Sequence, residues 1–267
     1  MTTIRRPAVA GTFYPGSRES LSRQISGFEV KGECRQRCVG AMAPHAGYVY
    51  SGAVAGELYS RIEIPPSVII LAPNHRGPFV RFALSPAAKW QTPLGDVEVD
   101  ADLAAAIGKA FPALELDAAP HTYEHSAEVQ VPFLQHFRPD VKIVPIVIAE
   151  HECEPLVELG EAIAECIRER DVLIVASSDM THFEDAASAG RRDKMALEKV
   201  LALDPEGLHQ VVHANGISMC GVSPAVVMLS AARTLGAKNA ELVRYANSGD
   251  VSGDRSNVVG YAAVRVF

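Results

Sequence analysis

The chain is poor in the features that would commit it to several large functional classes. Its longest apolar stretches, around residues 143–149, 172–176 and 225–229, fall far short of the roughly 20 residues needed to cross a bilayer. The N-terminus lacks an apolar signal core, because Arg5 and Arg6 run straight into Pro7, Gly11, Pro15 and Gly16. A soluble, cytoplasmic protein without membrane contact is expected. Basic clusters are equally scarce. With 25 Lys and Arg against 32 Asp and Glu the net charge is −7, and the compact basic pairs, Arg5-Arg6 and Arg191-Arg192, lead into apolar or acidic sequence. A phosphate backbone is gripped by clustered cations, so no nucleic-acid partner is expected.

Cysteine is sparse and badly placed for cross-linking. Cys34, Cys38, Cys153, Cys166 and Cys220 are odd in number and irregular in spacing, which predicts reduced thiols rather than a disulfide framework. Internal repeats, low-complexity tracts, Pro/Ser-rich linkers and a G-x-S-x-G nucleophile elbow are also missing. The composition, 48% hydrophobic and 21% charged in 267 residues, is that of a folded globular chain. One domain spanning residues 1–267 is expected.

What the sequence does contain is an alternation of two periods. β-rich runs occur at 38–43, 68–72, 80–84, 141–148, 172–176, 242–246 and 258–266; helical patterns occupy 53–61, 101–111, 155–170, 187–203 and 224–235. Strands alternating with helices predict a single α/β domain with a central, mostly parallel sheet covered on both faces. The last run alternates partly and is expected to be antiparallel or at an edge.

Three of the apolar runs end directly in polar clusters: Pro44-His45, Pro73-Asn74-His75, and Ser177-Ser178-Asp179-Met180-Thr181-His182. Ligands of open α/β sheets bind beyond the carboxyl ends of the strands, so His45, His75, Asp179 and His182 are expected at one sheet edge. A lone turn histidine is ordinarily a surface residue, but His45 and His75 share the grammar of strand, proline, histidine and glycine. Asp179, three residues before His182, either tunes that imidazole for proton transfer or caps the following helix. Cys220 lies just before the 224–235 helix, where a helix N-terminus lowers a thiol pKa and favours the thiolate as nucleophile or soft metal ligand. Cys153 and Cys166 read as small buried hydrophobes, and the Cys34, Cys38 pair has no second pair to complete a tetrahedral site.

His121-Thr122-Tyr123-Glu124-His125 matches the H-x-x-E-H pattern of inverted zinc proteases. That pattern needs both histidines on one helical face, which Pro120 and Pro132 make difficult to extend. The segment from Glu124 to Gln130 is a candidate site loop, the plainer alternative being a solvated helix start.

Taken together, 6–15 (RPAVAGTFYP), Pro44-His45-Ala46-Gly47-Tyr48, Pro73-Asn74-His75, Thr92-Pro93-Leu94-Gly95, Glu124-His125-Ser126-Ala127-Glu128, 177–183 (SSDMTHF) and Cys220-Gly221 resemble the Memo family over nearly the whole chain. The resemblance implies a fold like that of the class III extradiol dioxygenases, non-heme iron enzymes that open catechol rings on a triad of two histidines and a glutamate. Carried over, His45 and His75 match the histidine ligands and Cys220 the family's third position; Asp179, His182 and His125 would line the same pocket. On that basis His182, oriented by Asp179, is expected as acid/base, and His125 as the group that orients substrate or oxygen. The resemblance implies iron as the cofactor, and because a thiolate in place of a carboxylate favours softer metals, copper is the alternative. The expected function is oxidoreductase chemistry on a small-molecule substrate. The alternative is a non-catalytic adaptor that uses the cleft to bind a peptide or protein; the partners the resemblance implies are a radical-SAM protein and an associated small protein.

Overall fold

Continuous apolar strands form the centre of the protein. The computed structural model describes residues 3–32 and 34–267. Every residue of Ser67–Pro73 and of Val172–Ser177 is buried, as are all but the first of Lys142–Ile148, the pattern of strands covered on both faces. These three run parallel, with Gly40–Ala43 parallel beyond Val172–Ser177. Alternate side chains then enter opposite cores. Ile69, Leu71, Ile174 and Met42 join one apolar cluster, while Val68, Ile70, Leu173 and Ala41 join the other, the period of two that a pleated strand dictates. Helices Ala101–Ala110, Cys153–Ile167 and Val222–Thr234 cover the first face; Arg18–Phe28, Tyr48–Arg61 and Val131–Phe137 cover the second.

The periphery is less regular than the sequence implies. Among the described residues twelve strands share one sheet, and antiparallel members flank the parallel centre, making it mixed. Val258–Val266 is antiparallel but not at an edge: it pairs with Gly40–Ala43, with Ala240–Asn247 and, at its start, with His182–Glu184. The hairpin of Lys89–Thr92 and Gly95–Val99 and the helices Arg18–Phe28 and Pro205–Ala214 were not anticipated. Arg18–Phe28 buries only Leu21 and Ile25, too narrow a stripe to stand out, and starts on the Ser17 hydroxyl, which accepts from the Ser20 N–H. Pro132 does not interrupt a helix but opens Val131–Phe137, where its missing N–H is harmless. No helix among the described residues is long and apolar enough to cross a membrane.

The N-terminal segment is tied across the sheet edge by one carboxylate. Glu128, almost fully buried, accepts from the Ala8 and Val9 N–H groups at 2.8 and 3.0 Å, from the Tyr14 hydroxyl at 2.6 Å, and from the Arg5 guanidinium. Arg5 in turn donates to the carbonyls of His121 and Glu124 and lies 4.3 Å from the Trp90 ring centroid. Removing one member of a buried ion pair strands the other. Glu128→Gln should therefore cost about 3 kcal/mol in urea unfolding, and Arg5→Met added to it should recover part of that loss; a single variant as stable as wild type would overturn this account.

Candidate metal centre

The four parallel strands deliver their C-terminal ends to one edge, and the side chains just beyond them meet there. His45 follows Gly40–Ala43, His75 follows Ser67–Pro73, and Asp179 follows Val172–Ser177. The long connection before Val131–Phe137 brings in His125. His45, His75 and His125 offer ring nitrogens that all lie within 4.8 Å of one another, with ring centroids 4.8 to 5.4 Å apart. The group could hold a metal ion.

Hydrogen bonds fix which nitrogen each ring presents. The Ser177 hydroxyl donates to the Ser126 carbonyl at 2.7 Å, so its oxygen accepts from the Gln130 amide and from His45 Nδ1, both at 2.9 Å. His45 Nε2 is thereby left as a lone pair, 3.2 Å from the Cys220 sulfur. His75 Nδ1 faces Glu124 Oε1 at 3.0 Å, and the His75 N–H donates to Glu124 Oε2 at 2.6 Å, so Nε2 is again the free nitrogen. A carboxylate or hydroxyl behind each imidazole is how metal-ligating histidines are usually oriented. His125 Nδ1 is buried and unpaired; it lies 3.3 Å from Glu124 Oε1 without hydrogen-bonding geometry, because that oxygen is already occupied by His75 and by the Ser126 N–H and hydroxyl.

The protonation states suit ligation. Burial, helped by the neighbouring His75 and His125, pushes His45 well below its ordinary value, and burial takes His125 down to about 4 against the opposing pull of Glu124. Both are neutral ligand-ready rings at pH 7. Burial works to raise Glu124, but the His75 imidazole and the Ser126 and His75 N–H groups prevail and hold it down to about 2. Neutral imidazoles and a nearby sulfur make a donor set suited to iron, copper or zinc and ill suited to magnesium or calcium.

Three sequence expectations are corrected by the contacts of these residues. Asp179 does not hydrogen-bond His182: its Oδ1 accepts the His45 N–H at 2.7 Å, and burial, opposed first by that N–H, raises its carboxyl to about 6. It therefore positions the His45 turn, and Asp185 caps the next helix instead. His182 Nδ1 faces the Ser218 carbonyl at 2.8 Å, which leaves Nε2 as its proton-accepting nitrogen. The Cys220 thiol is not lowered by the helix that follows; burial and then the Asp179 charge push it well above its ordinary value. Its sulfur still receives the Asp179 N–H at 3.3 Å. The H-x-x-E-H reading also fails, because the helix stops at Thr122 and His121 turns away, with Nε2 on the Ala83 carbonyl and its ring against Trp90.

Glycines let the loops close this far. A Cβ on Gly221 would sit 2.4 Å from both the Ser177 oxygen and the Ser178 Cβ, and one on Gly77 would sit 2.5 Å from Pro120 Cα. Residues that the sequence left without a role complete the wall. Phe13, brought in by the Glu128 anchor, packs on His125 with centroids 4.7 Å apart, and its carbonyl accepts the Tyr48 N–H. Gln130 and Glu128 were legible only as members of a polar segment. A cleft of about 600 Å³ opens on His75 and Cys220 and is lined also by Phe79, His151 and His213.

The depressed Glu124 carboxyl has a signed consequence. A group held low in the folded state stabilises it above the ordinary value near 4.5 and loses that contribution as pH falls toward about 2. The stability gap between wild type and Glu124→Gln should therefore be a few kcal/mol at pH 6 and shrink below pH 4.5 in urea titrations; a gap independent of pH would count against this assignment.

Comparison with known proteins agrees with the motif pattern. The Memo-like protein family matches residues 5–265. A MEMO1 family protein of Aquifex aeolicus is 43% identical over 262 residues, covering 97% of each chain, and one of Pyrobaculum aerophilum is 42% identical over 279 aligned positions, covering 99% of each. One from Methanosarcina acetivorans is 43% identical, covering 98% of this chain and 99% of its own. The fold is similar to the crystal structure of an uncharacterized protein from Escherichia coli K12, with a TM-score of 0.58 and 13% identity over 85% of this chain and 98% of that one. Matched from Arg5 to Arg265 and closely related along almost its full length to these proteins, the chain belongs to the Memo-like family.

Proposed function

We propose that the cleft holds a single redox-active metal ion, iron in the first instance and copper as the alternative, and uses it for oxidoreductase chemistry on a small organic molecule. The observation that carries this reading is the convergence of three imidazoles, two of them with Nε2 lone pairs fixed from behind. His45 and His75 are the two firm ligands; Cys220, beside His45 Nε2, and His125, with its unpaired nitrogen, are the candidates for the third place. When bound, such a metal supplies one-electron chemistry at an oxygen-containing ligand. The chain's own groups do the rest. Asp179 fixes the His45 backbone, Glu124 fixes His75, and Phe13 shields His125 from water. His182 Nε2 is the group available to take and return a proton at the rim. A reducing, cytoplasmic setting would keep Cys220 a thiol, in keeping with the five free cysteines.

A second reading, an adaptor for a protein partner, is favoured by one observation. Phe79 lines the cleft and is 71% exposed, Tyr123 lines a neighbouring pocket that shares His75, and Tyr50 and Phe183 line another; all four stand 44 to 76% exposed, and Phe183 does so with φ of 61°, a left-handed backbone that aromatic residues seldom adopt. Exposed aromatics of this kind suit protein contact, including the radical-SAM protein and small partner implied by the family resemblance.

Metal analysis by mass spectrometry on anaerobically purified protein separates the cases. Wild type should carry close to one iron or copper per chain, and His45→Ala should carry almost none. Whichever of Cys220→Ser and His125→Ala loses the metal identifies the third ligand. Glu124→Gln should weaken metal affinity 10- to 100-fold by freeing the His75 ring. Loaded wild type should then consume oxygen with catechol-like substrates. A folded wild type that takes up no metal after anaerobic reconstitution, and still captures a partner when His45 and Cys220 are both replaced, would transfer the assignment to the adaptor reading.

A further inference from the structure

The helix Pro205–Ala214 begins on Asp204, whose carboxylate accepts the Gly207 N–H, and it presents His209 and His213 one turn apart on the same side. Their rings are stacked, with centroids 4.1 Å apart and planes inclined by 29°. His209 is partly exposed and His213 exposed, and neither belongs to the cluster of His45, His75 and His125. Each ring is oriented by a carbonyl. His209 Nε2 lies 2.7 Å from the His151 carbonyl oxygen, and His213 Nδ1 lies 2.8 Å from that of His209. A carbonyl only accepts, so those nitrogens carry the protons, and in the neutral rings Nδ1 of His209 and Nε2 of His213 hold lone pairs. One N–H given to a carbonyl and the other nitrogen left open is the posture of a metal-ligating histidine. Two histidines at i and i+4 is also the spacing by which a helix grips zinc in the H-E-x-x-H arrangement. The position is informative as well, for His213 and His151 line the same cleft of about 600 Å³ that His75 and Cys220 line further along.

We propose that His209 and His213 form an accessory site for a divalent transition-metal ion on the wall of this cleft, completed by water and separate from the cluster of His45, His75 and His125. Copper, nickel and zinc are the ions it fits, with copper held most tightly of the three. The binding site itself is independent of the function proposed above; its role as a staging position, from which an ion passes down the cleft to His75 and His45, rests on that reading. Water-exposed imidazoles exchange ligands freely, whereas in the three-histidine cluster His75 alone is exposed, with His45 buried and His125 half-buried behind it.

The test uses nickel, which leaves the thiols unoxidised, titrated calorimetrically into untagged protein. Four proteins are compared: wild type, His209→Gln with His213→Gln, His45→Ala with His75→Ala, and all four changes together, each checked for helicity by circular dichroism. The His45/His75 variant should retain one nickel per chain, and the His209/His213 variant should bind that equivalent at least tenfold more weakly. The quadruple variant should bind none with comparable affinity. Binding in the His209/His213 variant indistinguishable from wild type, or no nickel in a folded His45/His75 variant, would overturn the proposal. A wild type that binds one equivalent, lost only with His209 and His213, would uphold the accessory site while removing nickel binding from the His45 and His75 site.

Discussion

Two carboxylates with almost no access to water, Glu124 and Glu128, lie four residues apart in one connecting segment, and the architecture around the site follows from keeping both charged. An unpaired buried carboxylate is prohibitively unfavourable. Glu128 meets this demand by drawing residues 5–14 across the sheet edge; Glu124 meets it by gathering the His75 imidazole, the His75 N–H, and the Ser126 N–H and hydroxyl. The same segment therefore binds the N-terminus with one acid and the histidine cluster with the other. Arg5 links the two places, paired with the Glu128 carboxylate and donating to the Glu124 backbone carbonyl.

The centre of the fold was legible because its physics is local. Runs such as Val-Ile-Ile-Leu-Ala at 68–72 have no polar face to offer solvent, so they declare a doubly covered strand, and their polar continuations at Pro44-His45 and Pro73-Asn74-His75 declare a sheet edge. The strands were placed to within a residue or two. What was not legible is the periphery, where pairing depends on partners distant in sequence: the short strand His182–Glu184 exists only because the start of Val258–Val266 lies beside it.

The site shows the same division. His45, His75 and Cys220 could be singled out, since each follows or precedes a recognisable element. The role of Asp179 could not be read correctly, because three residues of separation from His182 suggests a local partner, whereas its carboxylate faces a backbone N–H 134 residues away in sequence. Cys220 was misjudged for a related reason. Its position before a helix argues for a low thiol pKa, but depth of burial and the Asp179 charge outweigh the helix end, and neither is written in the neighbouring residues. Glu124 sat in view within a motif whose usual meaning, two histidines on one helical face, the short helix ending at Thr122 rules out.

The absent side chains of Gly221 and Gly77 have a mechanical meaning. The Cys220 loop rests against Ser177 and Ser178, and the His75 loop against Pro120, at the distance where backbone meets backbone without an intervening methyl group. Repulsion at such contact rises steeply, while attraction beyond it decays gently. Each loop thus has a hard stop against moving toward the neighbour it touches and only a soft restraint against moving away from it. The Cys220 sulfur and the His75 ring are carried by segments whose travel is bounded by atomic radii on one side and by weak attraction on the other, so each can shift in one sense far more readily than in the other.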